Sequence, residues 1–320
     1  MSPNPFRKLV DPRLPAAAAG LSAEGAAVVS LERRRDVLAV RRAGHTQLPE
    51  GLLRPHFDDQ NVRDAGELAE VVAELTTTTG LARQQRWSVA LPENATRTAV
   101  VTLESTPGSR AETEEMLRWK TERAVGASES EVRATRERLT PDAQGRARYL
   151  VTAVRLSVLE EYESVFAALG WHTGLVLPRH MGEAWWLVRG GLAGADALLV
   201  SSHDDGFTAL LLRGRQPLMV RNVLCDAEDC ADELYRFLLF YRDRMSGANG
   251  DGGHGGGTIE RLLVTGHGFE AGRAAAVVEE TLAAAPRMLR AEDLRLVFHS
   301  AELDFAQLAA PAGLAAQKWQ

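Results

Sequence analysis

The chain has 320 residues, 45% of them hydrophobic, enough to bury a sizeable core and to fill two domains. Its 37 basic and 43 acidic residues leave a formal charge of −6, which gives no electrostatic footprint for nucleic acid. Cys225 and Cys230 stand five apart, neither a Cys-x-x-Cys redox pair nor a zinc set, and this usage implies a reducing, cytoplasmic compartment.

At the N-terminus, Arg7, Lys8, Asp11 and Arg13 precede an apolar run at 16–21 that is too short for a signal-peptide core or a membrane span. Residues 25–31 and 37–42 read as paired strands about a charged turn at 32–36, with the nearby arginines as solvated strand ends. Asp64 and Glu67 form a capping box for a helix whose apolar face is Leu68, Val71, Val72 and Leu75. Strands at 87–91 and 98–103 follow, then a helix at 111–125 carrying Met116, Leu117 and Trp119. A weak strand at 131–139 and a strong one at 149–156 come next. Ser157 and Glu160 make a second capping box for a helix closed by Gly170, and a strand at 172–177 leads to a helix near 181–188.

After a glycine hinge at 190–194, three strands (197–201, 207–212, 217–223) are joined by turns at Asp204-Asp205-Gly206 and Arg213-Gly214-Arg215. Asp226 is placed to cap a helix over 227–245 with Cys230, Leu234, Phe237, Leu238, Tyr241 and Met245 on one stripe. Residues 246–257 are a glycine-rich linker in which His254 reads as solvent-exposed. A strand at 262–264 then delivers Gly266-His267-Gly268 to a helix over 269–282. Such strand-to-helix turns let backbone N–H groups approach a nucleotide. The spacing Gly266-x-Gly268-x-x-x-Gly272 is one residue off the Rossmann fingerprint and opens no βαβ unit. Walker A, His-Glu-x-x-His and nucleophile-elbow motifs are also absent.

In this order and spacing the chain resembles the actin-like superfamily, and within it the PilM proteins of type IV pilus assembly, relatives of FtsA. Residues 20–32 match the first phosphate hairpin and 197–223 the second. Residues 262–268 match the adenosine loop, and 310–315 the closing apolar segment. The resemblance implies an α/β, two-lobed actin-like (ribonuclease H-like) fold. The first lobe would comprise 1–91 and 157–190, a small α/β insert 92–156, the second lobe 191–300, and a C-terminal segment 301–320 would return to the first lobe. Additional sequence is usual after the second hairpin, so the second lobe's outer subdomain is expected to be shortened.

ATP-binding members place Asp-x-Gly in both phosphate hairpins. Here those positions read Ser22-Ala23-Glu24 and Ser201-Ser202-His203, while Gly266 and Gly268 remain in the adenosine loop. A glutamate aimed at a phosphate repels it, and no compensating cation is evident nearby. The resemblance therefore implies a pseudo-ATPase with no catalytic residues, metal or cofactor. The alternative is ATP with Mg²⁺ on a phosphate loop shifted to Asp204 or Asp205.

The partner so implied is the cytoplasmic N-terminal peptide of a bitopic PilN-like inner-membrane protein. The chain would lie at the inner face of that membrane through its partner, with no direct insertion and with self-association left open. The family docks its partner near the insert, and Met116, Trp119 and Lys120 are the candidates for contacting it. Met116 and Trp119 are expected to form a pocket with Leu103 or Val151.

Overall fold

The computed structural model describes residues 14–105, 107–189, 196–248, 258–299 and 303–319. The expected hinge at 190–194, His254 with the linker over 249–257, and the N-terminal charges up to Arg13 lie outside the described residues.

The first strand, β1 (Ala17–Leu21), forms from the alanine-rich run that is too short to span a membrane. It continues through a tight turn at Ser22–Glu24 into β2 (Gly25–Arg34), and β3 (Val37–Gln47) returns. The charged turn contracts to Arg35 and Asp36, because Glu32, Arg33 and Arg34 continue the ladder against Val37, Leu38 and Ala39. Helix α1 (Ala65–Thr78) starts where the Asp64 carboxylate accepts the Glu67 N–H at 3.0 Å. Leu68, Val72 and Leu75 are its buried face.

Between β4 (Arg86–Leu91) and β8 (His172–Pro178) the chain inserts β5 (Thr96–Thr102), α2 (Arg110–Val125), β6 (Val132–Leu139), β7 (Arg148–Arg155) and α3 (Leu156–Ala168). Helix α3 begins without a side-chain cap, so the Ser157–Glu160 capping box is not formed. The helix continues directly from β7, and Ser157 lies inside its first turn.

Helix α4 (Arg179–Arg189) leads to the hairpins of β9 (Asp196–His203), β10 (Gly206–Arg213) and β11 (Gln216–Leu224). Helix α5 (Cys230–Ala248) starts later than Asp226, which instead accepts the Asp229 N–H in a preceding turn. Strand β12 (Ile259–Thr265), α6 (Ala271–Leu282), β13 (Arg287–Met288), β14 (Leu296–Val297) and α7 (Phe305–Ala316) complete the chain.

The first sheet has the order β14-β3-β2-β1-β4-β8 and the second β11-β10-β9-β12-β13. Each contains an antiparallel three-strand meander followed by parallel strands on the other side of its first strand. Strands β3-β2-β1-β4-β8 and β11-β10-β9-β12-β13 thus repeat one topology, a doubled unit with helices packed between and outside. The insert forms its own antiparallel sheet, β5-β7-β6, whose α2-facing core includes Val101, Leu117, Val125 and Val151.

One core cluster joins the two halves, drawing Val29 and Leu31 from β2, Leu199 from β9, Leu210 from β10 and Leu263 from β12. Helix α7 lies in it with nine residues buried from Leu308 to Ala316. It carries no polar stripe because it is enclosed on all sides. It crosses α4 so closely that a Cβ on Gly313 would sit 1.8 Å from the Gly182 carbonyl oxygen. Trp186 fixes the same crossing by donating its indole N–H to the Ala309 carbonyl at 2.8 Å.

Candidate functional site: an acidic interlobe cleft

The β1–β2 turn, the β9–β10 turn and the loop after β12 meet around one cavity of about 520 Å³ between the two large sheets. Ser22, Ala23 and Glu24 line it from the first sheet, and Ser202, His203, Asp204 and Asp205 from the second. Gly266 and His267 close one side, and Gln307 and Pro311 of α7 another. Of the residues singled out in the sequence, Ser22, Glu24, His203 and Gly266 all line the cleft. Ser201 lies beneath it, fully buried, and Gly268 packs against His203 and Ser202.

The glycines answer to the fold's own packing. Gly266 adopts φ +80°, and a Cβ there would lie 2.0 Å from the Ser202 carbonyl oxygen. A side chain at 266 would therefore collide with the end of β9. Asp204 and Asp205 form the two-residue hairpin turn, as their Gly206 neighbour suggests, yet they also face the cavity.

Asp204 accordingly meets Glu24 across the cleft. Burial and then the hydrogen-bonded Glu24 carboxyl push Asp204 up to about 6. Two acids sharing a site in this way leave it negative at neutral pH. One cation does reach the cavity, contrary to the sequence expectation: Arg179 at the start of α4. Its guanidinium donates to Glu183 at 2.8 Å and to the Ala306 carbonyl at 3.4 Å, so it is already paired. His203 and His45 are both lowered, first by burial, and so add little positive charge at neutral pH.

Below the cavity is a buried polar cluster that sequence reading missed. Glu93, in the turn after β4, accepts the His180 backbone N–H at 2.7 Å and faces His180 Nδ1 at 2.7 Å. Ser201 and Thr208, from β9 and β10, donate to the same carboxylate at 3.4 and 3.2 Å. Burial alone would raise Glu93, but the adjoining His180 charge outweighs it and holds the carboxyl at about 2. Burial lowers His180 and the Glu93 carboxylate more than restores it, so its pKa is raised and the pair is ionic. Glu93 and His180 are 87 positions apart and no motif spacing links them in the sequence.

Further bonds tie the lobes. Asn94 donates to Asp205 at 3.1 Å, and Arg148 of β7 donates to the Pro217 and Leu218 carbonyls of β11 at 3.0 and 2.9 Å. The Thr140 N–H donates to Gln216 at 2.8 Å.

Glu24 and Asp204 both line the cavity, and Arg179, its one arginine among the described residues, is bonded to Glu183. Among the described residues no group of three or more His, Cys, Asp or Glu side chains is placed to hold a metal ion.

On the insert, Trp119 lies on the outer face of α2, 53% exposed, with the Arg123 guanidinium 5.5 Å and the Lys120 ammonium 5.9 Å from its ring. Lys120 also bonds Glu104 at 2.8 Å. Met116 touches Ser105, with Sδ to Oγ at 3.9 Å. Of the residues expected to form a pocket, Trp119 is exposed and Met116 half-buried. Leu103 and Val151 are buried, and Leu117, Thr121 and Val125 are the α2 side chains that face inward.

The doubled topology and the interlobe cleft define an actin-like fold carrying an insert in the first lobe. Among solved structures the chain is similar to one described as the PilM–PilN type IV pilus biogenesis complex. The TM-score is 0.73 and the identity 18%, over 97% of this chain and 100% of that one. It also matches the cytoplasmic domain of EpsL, an inner-membrane component of the type II secretion system of Vibrio cholerae. There the TM-score is 0.45 at 14% identity, over 94% and 93% of the two chains. A Bacteroides thetaiotaomicron protein of actin-like ATPase fold and unknown function matches at TM-score 0.48 and 10% identity, over 96% and 98%. No protein-family model and no curated protein matches the sequence.

Proposed function

We propose that this chain is a non-catalytic cytoplasmic scaffold in a type IV pilus or related type II secretion assembly platform at the inner membrane. It holds the cytoplasmic tail of a PilN-like membrane partner. The observation that carries this reading is the cleft, where Glu24 of the first hairpin and Asp204, in the turn just past Ser201-Ser202-His203, share one cavity. Support comes also from the fold, which overlies a PilM–PilN structure along nearly its whole length. Among the described residues no helix is long and apolar enough to cross a membrane, which accords with attachment through a partner.

The insert is the proposed docking module, with Trp119 as its anchor. An exposed tryptophan between two cations offers a large apolar face to a peptide and a favourable place for its carboxylates. The test is titration of a fluorescent peptide, the N-terminal cytoplasmic tail of a PilN-like inner-membrane protein. Trp119→Ala should weaken binding by roughly thirtyfold, as loss of a central anchor does, while the unfolding midpoint stays within a degree or so. Equal affinity for the variant would move the interface off α2, and no binding by either protein would reject the scaffold reading.

A further inference from the structure

The two cysteines lie outside the cleft and outside the docking module, and the structure brings their sulfurs together. Cys225 follows β11 directly, and Cys230 is the first residue of α5. Their Sγ atoms are 3.1 Å apart, inside the van der Waals separation of two sulfurs, while both are free thiols. The intervening turn is pinned, since the Asp229 N–H bonds the Asp226 carbonyl at 3.0 Å and Cys230 Sγ approaches the same oxygen at 3.5 Å. The Cys225 N–H donates to the Asp205 carbonyl at 3.0 Å, so this corner is fastened to the hairpin that borders the cleft.

We propose that Cys225 and Cys230 are a reversible modification site, a dithiol that closes to an intrachain disulfide by exchange with a small disulfide such as oxidised glutathione. The half-buried Cys225 is the entry point, because Cys230 is only 2% exposed. Its thiolate attacks one glutathione sulfur, forming a mixed disulfide and releasing one glutathione thiolate, while the Cys225 proton passes to solvent. Cys230 then gives its proton to solvent and its thiolate attacks Cys225 Sγ, displacing the second glutathione thiolate, and both released thiolates take up a proton. The protein dithiol is oxidised by two electrons, and one glutathione disulfide is reduced to two thiols. Forming the bond brings the two sulfurs about 1 Å closer than their present 3.1 Å.

The surroundings set the pace. Burial, Cys230, and the carboxylates of Glu233 and Asp229 hold the Cys225 thiol up at about 12. Asp204, Asp205, Asp226, Asp232 and Arg236 complete the ring of charged groups around it. The thiolate is scarce at neutral pH, so the reduced form resists brief oxidant exposure and closes only under a sustained oxidising poise. Once closed, the bond staples β11 to α5 and fixes the corner that holds Asp205.

The test treats the reduced full-length chain with excess oxidised glutathione and follows intact mass and free thiols. The expected product is a monomer lighter by two hydrogens with no free thiol, and its disulfide peptide joins Cys225 to Cys230. Its unfolding midpoint is raised, and dithiothreitol reverses all of these changes. Cys230→Ser should stop at one retained glutathione, which shows that the second sulfur resolves the first. A wild-type product that keeps a glutathione, links only between chains, or keeps both thiols after prolonged exposure would overturn the proposal.

Discussion

At the scale of single residues, two carboxyl groups in the cleft are pushed in opposite directions. Glu93 is held at about 2, against an ordinary 4.5, and His180 is raised above 6.5. The Glu93 contribution is present above pH 4.5 and is lost as pH falls toward 2. The His180 contribution is present below pH 6.5 and is lost as pH rises through its raised value. The pair therefore stabilises fully between about pH 4.5 and 6.5. Removing one partner strands the other in the interior, so Glu93→Gln should cost about 3 kcal/mol in urea unfolding at pH 6. A cost under about 1 kcal/mol would show that Ser201 and Thr208 satisfy the site without a charge.

Asp204 behaves in the reverse sense. Its carboxyl is raised from 3.8 to about 6, so the fold prefers it protonated and loses stability as pH climbs through that interval. Asp204 is partly exposed, and after discounting for solvent screening the strain is on the order of 1 kcal/mol. Asp204→Asn should raise the unfolding midpoint at pH 7.5 and leave it nearly unchanged at pH 4. A midpoint that falls at both values would mean that the carboxylate serves a bond the Glu24 pairing does not explain.

At the scale of elements, strands with alternating or β-branched residues were legible in the sequence, and β2 to β12 lie within a few residues of their expected places. The two-residue strands β13 and β14 were not legible, nor were two larger elements. Strand β1 is a short run of alanines, which have weak strand preference and form a strand here because β2 and β4 flank it on both sides. Helix α7 contains Pro311 and Gly313 and has no polar face, so neither periodicity nor propensity marks it. The helix is held by close packing. Gly313→Ala should therefore destabilise by on the order of 3 kcal/mol, because the new methyl meets the α4 backbone. Gly272→Ala in α6, where the nearest atom is 3.7 Å away, should be neutral or stabilise by up to about 1 kcal/mol. Equal effects in thermal unfolding would remove the close-approach account of Gly313.

At the scale of the whole molecule, the three loops singled out in the sequence (the β1–β2 turn, the β9–β10 turn and the loop after β12) line one cleft. Its electrostatics were legible only in part. Glu24 was visible as a misplaced acid, but its pairing with Asp204 depends on how two sheets meet. Arg179 was invisible as a cavity residue because its role depends on the buried start of α4. The polar floor at Glu93 and the bonds from Arg148 and Asn94 join the two lobes. On this account the chain uses an actin-like frame as a fixed support.

The measurement that tests this most directly is thermal unfolding with and without saturating Mg-ATP. A ligand at a hundred times its dissociation constant would stabilise the fold by about 2.7 kcal/mol, a shift of several degrees in a two-state transition. The account predicts no upward shift, and no change in that result on Asp204→Ala. An upward shift abolished by Asp204→Ala or Asp205→Ala would contradict it and establish a working nucleotide site built on the displaced turn.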